Sequence, residues 1–157
     1  MNFIGSGGHY IVLREFAMPQ NDGWIIAVGD NATRRRIALE HEGMRPPIIY
    51  ATMIHPAAVV SPSAHIGVGS VIMAGAIVQA NTSIGNHVIL NTGCTVDHGC
   101  VVEDYAHIAP GAHLCGDVHI GEGTLVGVGV GIAPMCKVPA WTLVKARRLE
   151  MEPLYAV

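Results

Sequence analysis

The chain has 157 residues, half of them apolar, 13% charged and only 5% aromatic, with 19 glycines and a formal charge of −3 at pH 7. So much apolar matter with so little charge excludes a disordered chain. The charge balance gives no reason to expect nucleic acid, and no apolar run reaches the roughly 18 residues of a membrane span.

The chain opens with NFIGSGGHYIVLREFAM. This reads as a short apolar strand, a glycine turn at Gly5-Ser6-Gly7-Gly8 and a helical stretch. DGWIIAVGDNATRRRIALEHEG repeats the plan: a strand over residues 24–28, a turn at Gly29-Asp30-Asn31 and a helix to about residue 42, capped by Asn31 or Thr33. The order β-α-β-α begins a parallel sheet and predicts a small, truncated Rossmann-like α/β unit over residues 1–50. Arg34-Arg35-Arg36 is read as the solvated face of the second helix rather than a phosphate patch. A glycine-rich strand-to-helix turn can offer backbone N–H groups to a phosphate. GSGGH lacks the full dinucleotide spacing, however, and a bare tight turn reads equally well. Arg14 and Glu15 fall where a secretory signal would be apolar, so a cytoplasmic protein with reduced cysteines is expected.

After the linker RPPIIYATMIHPAAVVSP, a new period takes over. Every sixth residue from Ile66 to Val138 is Ile, Leu or Val, and Val60 and Ile54 extend the series backwards. Two residues before each lies a small or β-branched one, from Ala64, Ser70, Ala76 and Thr82 to Val130 and Cys136. A six-residue repeat marks a parallel β-helix of hexapeptides. Each hexapeptide gives one short strand and a turn, and three close a triangular coil of about 18 residues. The aliphatic residue points inward, and the small one fits beside it where a larger one would overpack. Residues 51–140 then make between four and five coils, with a cap or tail over 141–157, because a solenoid needs its ends covered. Cys94, Cys100 and Cys136 occupy the inward small position and are expected as buried packing residues, not zinc ligands. Cys115 is left unassigned, and no C-x-x-C pair exists.

His98, His107, His113 and His119 crowd the stretch TVDHGCVVEDYAHIAPGAHLCGDVHIG. His98 and His107 are half a coil apart and should not touch within one chain. In a trimer of parallel prisms a shared site would lie between subunits. His107, His113 and His119 recur every six residues, so each falls on a different side and they cannot converge on one ion within a chain. That leaves an ion on a three-fold axis as the remaining route to a metal, and none is expected. His65, His87, His113 and His119 are read as tolerated on the outside of the coils. A neutral imidazole near pH 7 suits a base that takes the proton of an attacking amine or hydroxyl. The oxyanion that develops on an attacked carbonyl needs a hydrogen-bond donor, from His107 or a coil N–H.

The loop G-x-G-G-H, then AVGDN and an arginine-bearing helix, then IHPAAVVSPSAHIG and ILNTGCTVDHGCVVEDYAHIAPGAHLCGDVHIGEGTLVGVG carry a resemblance. The chain resembles the bacterial sugar acetyltransferases, the sialic acid O-acetyltransferase and UDP-4-amino-sugar N-acetyltransferase family of the hexapeptide-repeat, left-handed β-helix superfamily. The likeness covers most of the chain and is close over residues 89–129. It implies a left-handed coil, a homotrimer carrying acetyl-CoA between neighbouring β-helices, and a sugar nucleotide held against the N-terminal unit. By resemblance His98 aligns with the catalytic base. Gly99 follows it where the family usually carries Asp or Glu, which leaves Asp97 to orient the base from the other side. His107 aligns with the histidine that contacts the acetyl thioester, and Gly116 and Val128 are further acetyl-CoA-binding candidates. Asn91 aligns with an active-site asparagine, and Gly7, Gly8 and His9 with the loop that holds the nucleotide part of the substrate. The implied activity is acetyl transfer from acetyl-CoA to an amino or hydroxyl group of a sugar in surface glycan biosynthesis. The competing expectations are a shortened homologue serving as a structural or assembly subunit, and a γ-class carbonic anhydrase with three histidines converging between chains.

Overall fold

The computed structural model describes residues 1–5, 7–10 and 23–145; the expected first helix beyond Tyr10 and the part of the C-terminal cap from residue 146 lie outside the described residues.

Strands β1 (Asn2–Ile4) and β2 (Trp24–Ile26) pair in parallel, Asn2 opposite Trp24 and Ile4 opposite Ile26, and Tyr50 bridges the other side of Trp24. Helix α1 runs over Asn31–Glu40. Its N-cap is Asp30, whose carboxylate accepts from the Thr33 N–H at 2.8 Å, so neither Asn31 nor Thr33 plays that part. Ahead of the column the described residues hold these two strands, helical residues 8–10 between them, the Tyr50 bridge and α1.

Two-residue strands then follow one another from β3 (Met53–Ile54) to β18 (Leu143–Val144). They sort into three parallel sheets of six, five and five, each strand pairing with the one three places on. Val96 lies opposite Leu114, and Ile108 opposite Val126. The result is a left-handed parallel β-solenoid. It continues through Leu143–Val144, within the segment expected as a cap.

The six-residue ladder is the core. Each of its members from Ile72 to Val126 is at most 1% exposed, whereas Ile54, with no coil beneath it, is 44% exposed. The small position before it is buried too. Where that position is polar, it reaches across the prism: Ser70 donates to the Gly85 carbonyl, Thr82 to Asp97, Cys100 to Cys115 and Thr124 to Pro139. The buried hydroxyls and the thiol thus have partners, which removes most of the cost of enclosing them. Cys94 is fully buried, and burial pushes its thiol up to about 12. Cys136 departs from expectation and is exposed, because it lies near the end of the column and no described coil covers it.

A second six-residue period appears at the corners. The third residue after each ladder position has φ between +53° and +72°, from Gly69 through Gly99 and Tyr105 to Trp141. The left-handed region lets the chain turn sharply between flat strands. Glycine enters it freely, and His87, Tyr105, Met135 and Trp141 adopt it at the same place in their coils.

The N-terminal unit sits on one face of the prism. Ile25 and Ala27, with Phe3, Tyr10 and Ala51, pack on the outward side chains Met53, Val71 and Ile89 and on Met73. Each aliphatic side chain so enclosed contributes roughly 1.5–3 kcal/mol. Asn31, Arg34 and Ala38 form the buried face of α1. Arg34 therefore corrects the solvated-face reading, while Arg35 and Arg36 stay exposed. The reason is tertiary: carbonyls of distant segments surround the guanidinium. His87 is also corrected. It is 5% exposed, stacked on Tyr105 with Tyr50 edge-on, because the N-terminal unit covers its corner.

Candidate active site

The covered face carries an outward column of one residue per coil: Met53, Val71, Ile89, His107 and Leu125. His107, on β12 (His107–Ile108), is its one polar member and is 8% exposed. Asn91 follows β9 (Ile89–Leu90) one coil below. Its Oδ1 accepts from the Thr92 N–H at 2.8 Å, so its Nδ2 faces His107 Nε2 at 3.0 Å. Because Nδ2 is a donor, Nε2 is the acceptor, and the proton of the neutral ring is on Nδ1.

His9 stands edge-on to His107, centroids 5.6 Å apart, with its ring over the Cα of Gly29. Burial lowers both imidazoles, and the Arg34 cation adds to the effect; His107 is brought down to about 4. His107 is therefore neutral at pH 7. Among the described residues His9 Nε2 is enclosed without a hydrogen-bond partner. Gly8, His9, Met73, Asn91 and Thr92 line an open cleft of about 350 Å³. Gly7 and Gly8 are exposed, and a Cβ at either would meet nothing among the described residues.

His98 lies elsewhere. It is exposed at the corner after β10 (Thr95–Val96), and its ring lies over Gly116. The Asp97 carboxylate accepts from the His98 backbone N–H at 2.8 Å and so braces the corner. At Gly99 a side chain would run into Oδ1 of Asp117, the corner residue one coil on. Val128 is exposed beyond β15 (Leu125–Val126) and does not line the cleft. The fold thus brings Gly8, His9, Asn91 and His107 together and keeps His98, Asp97 and Gly116 as a second group. Met73 and Thr92 were missed by the sequence reading. Met73 was within reach of it, since it stands one 18-residue coil before Asn91. Among the described residues no three of His, Cys, Asp or Glu gather as a cation site, and no helix is long and apolar enough to cross a membrane.

A left-handed column of hexapeptides is the architecture of the hexapeptide-repeat superfamily. The family model described as bacterial transferase hexapeptide (six repeats) matches residues 99–134. The acetyltransferase domain of PglB from Neisseria gonorrhoeae, solved with acetyl coenzyme A, is 33% identical over 92% of this chain and 87% of its own, with a TM-score of 0.83. PerB from Caulobacter crescentus, solved with CoA and GDP-perosamine, is 31% identical over 92% of this chain and 85% of its own, with a TM-score of 0.82. WeeI from Acinetobacter baumannii, 23% identical over 83% of this chain and 71% of its own, shares the fold with a TM-score of 0.57. No curated protein matches the chain. The chain belongs to the bacterial sugar acetyltransferases of the hexapeptide-repeat superfamily and is an acyltransferase.

Proposed function

We propose that the protein transfers the acetyl group of acetyl-CoA to an amino or hydroxyl group of a nucleotide-linked sugar, in surface glycan biosynthesis in the cytoplasm. His98 is the general base, and the working site forms between subunits of a homotrimer. The observation that carries this reading is the separation of two half-sites in one chain. His98 projects from an exposed corner, while the His107–Asn91 pair lies beside a cleft on the face that the N-terminal unit covers. Parallel prisms packed side by side set the corner of one against the cleft face of the next. Exposed Val59 and Val101, on the two uncovered faces, give such packing apolar surface.

In this site the sugar amine or hydroxyl attacks the thioester carbonyl and passes its proton to His98. A new C–N or C–O bond forms, the C–S bond breaks, and protonated His98 gives its proton to the departing sulfur, so that coenzyme A leaves as the thiol. The Asn91–His107 pair lies against the carbonyl oxygen as charge develops on it. Gly7, Gly8 and His9, in a small Rossmann-like nucleotide-binding unit, hold the nucleotide part, and the bare glycines let a phosphate approach the backbone. Gly116 and Val128 border the coenzyme, and no metal takes part.

The test is thiol release from acetyl-CoA against a panel of nucleotide sugars, with sedimentation of the same protein. The expected result is thiol release dependent on one class of amino or hydroxy sugar, from a trimer. A pure protein that binds no coenzyme A and releases no thiol across the panel overturns the reading.

A further inference from the structure

Arg34 is 1% exposed, and all its N–H donors are engaged. Nε donates to the His87 carbonyl, Nη1 to Val28 and Gly29, and Nη2 to the Asn31 side chain and to the Tyr105 and Ala106 carbonyls. Among the described residues none of these partners is a carboxylate, so the buried cation is solvated by backbone dipoles. A planar five-donor fork suits this arrangement, and an ammonium does not.

What it joins matters for the site. Ala106 is the residue before His107. Gly29, whose carbonyl accepts from Nη1 at 3.3 Å, belongs to the backbone that acts on the His107 ring. One guanidinium therefore holds both the strand that carries the ring and the Gly29 backbone beside it. With the proton on Nδ1, the Nε2 lone pair receives one N–H of Asn91, and among the described residues the other N–H of that carboxamide has no partner beside the cleft that Asn91 lines. The charged and titratable groups facing His107 are Arg34 from α1 and His9 from the glycine loop. Protonation of His107 would turn Nε2 into a donor and break the pair.

We propose that Arg34 is the positioning residue of the acetyl-transfer site: it fixes the tautomer of His107 and, through it, aims a carboxamide N–H of Asn91 at the oxygen of the attacked carbonyl. This rests on the acetyltransferase reading only for the identity of that carbonyl. The test is nitrogen NMR of the His107 imidazole, together with steady-state kinetics, in the wild type and in Arg34→Lys and Arg34→Met, with thermal melts to confirm folding. The wild-type ring is expected to be neutral, with its proton on Nδ1, through pH about 5.5. Folded Arg34→Lys should show mixed tautomers and a kcat lower by roughly 10- to 100-fold, with the KM for acetyl-CoA little changed. Folded Arg34→Met should raise the His107 titration toward the ordinary value near 6.5. If the methionine variant does not fold, the lysine variant decides. Wild-type ring-nitrogen shifts and wild-type kcat in folded Arg34→Lys overturn the proposal. The ring signal needs no substrate. Altered tautomers in a protein that acetylates nothing therefore uphold the positioning and remove the acetyl-transfer reading, whereas unchanged tautomers in an active enzyme remove the positioning alone.

Discussion

The imidazole of His98 lies across the Cα of Gly116, one coil further along the column. A Cβ at Gly116 would stand 2.6 Å from Cε1 and 2.8 Å from Nε2. Gly116 is not one of the left-handed corner residues, so alanine there meets no backbone strain. The ring is the flexible partner and would swing away. Gly116→Ala is expected to lower kcat by about 100-fold while the melting temperature hardly moves. Full activity in that variant would mean that the ring's place over the glycine has no bearing on turnover.

His98 is exposed, so its removal leaves the core intact. His98→Ala should lower turnover by about 10²–10⁴-fold with little change in unfolding free energy. Turnover equal to the wild type would take His98 out of the mechanism.

The column was legible because its two determinants are local and periodic. An aliphatic residue every six positions and a small one two places earlier need no knowledge of the rest of the chain. The same period placed His98 and His107 on different sides, as found. It did not expose Arg34, whose carbonyl partners at His87, Tyr105 and Ala106 lie more than 50 residues away. A run of three arginines carries no local mark of which one will be buried. His87 was misread for the same reason, since nothing in its hexapeptide states that another unit will cover that corner. Met73 differs: its place one coil below Asn91 follows from the period itself.

Gly99 turns a corner at φ +68°, with Oδ1 of Asp117 where its Cβ would be. Both facts oppose the acidic residue that the family usually carries there. Gly99→Asp should therefore destabilise the fold by about 1–3 kcal/mol, since it adds backbone strain and sets two carboxylates together. Adding Asp117→Gly, which opens the space and removes the second charge, should restore much of the loss. Urea unfolding of the single and double variants reads the difference. Equal stability of the two would show that the crowding at this corner has no energetic weight.

Acid should weaken the fold through its two enclosed column histidines. His87 and His107 are both brought down to about 4, first by burial and then by the nearby Arg34 cation; Asp104 opposes this at His87. Their folded values lie below the ordinary 6.5, so the unfolded chain takes up protons that the folded one refuses. The stability is fully present above about pH 6.5 and is lost as pH falls toward 4, at about 1.4 kcal/mol per pH unit for each histidine. His87 allows the contribution of one to be isolated. Among the described residues its Nδ1 has no hydrogen-bond partner, and its ring meets the face of Tyr105 and the edge of Tyr50. His87→Phe keeps the ring contacts and removes the titration. Any strain from a phenylalanine at φ +53° is the same at every pH and cancels when two pH values are compared. Between pH near 7 and pH near 5, the variant should lose about 2 kcal/mol less than the wild type in urea unfolding. If the two proteins lose stability in parallel over that range, His87 is not held neutral by its surroundings.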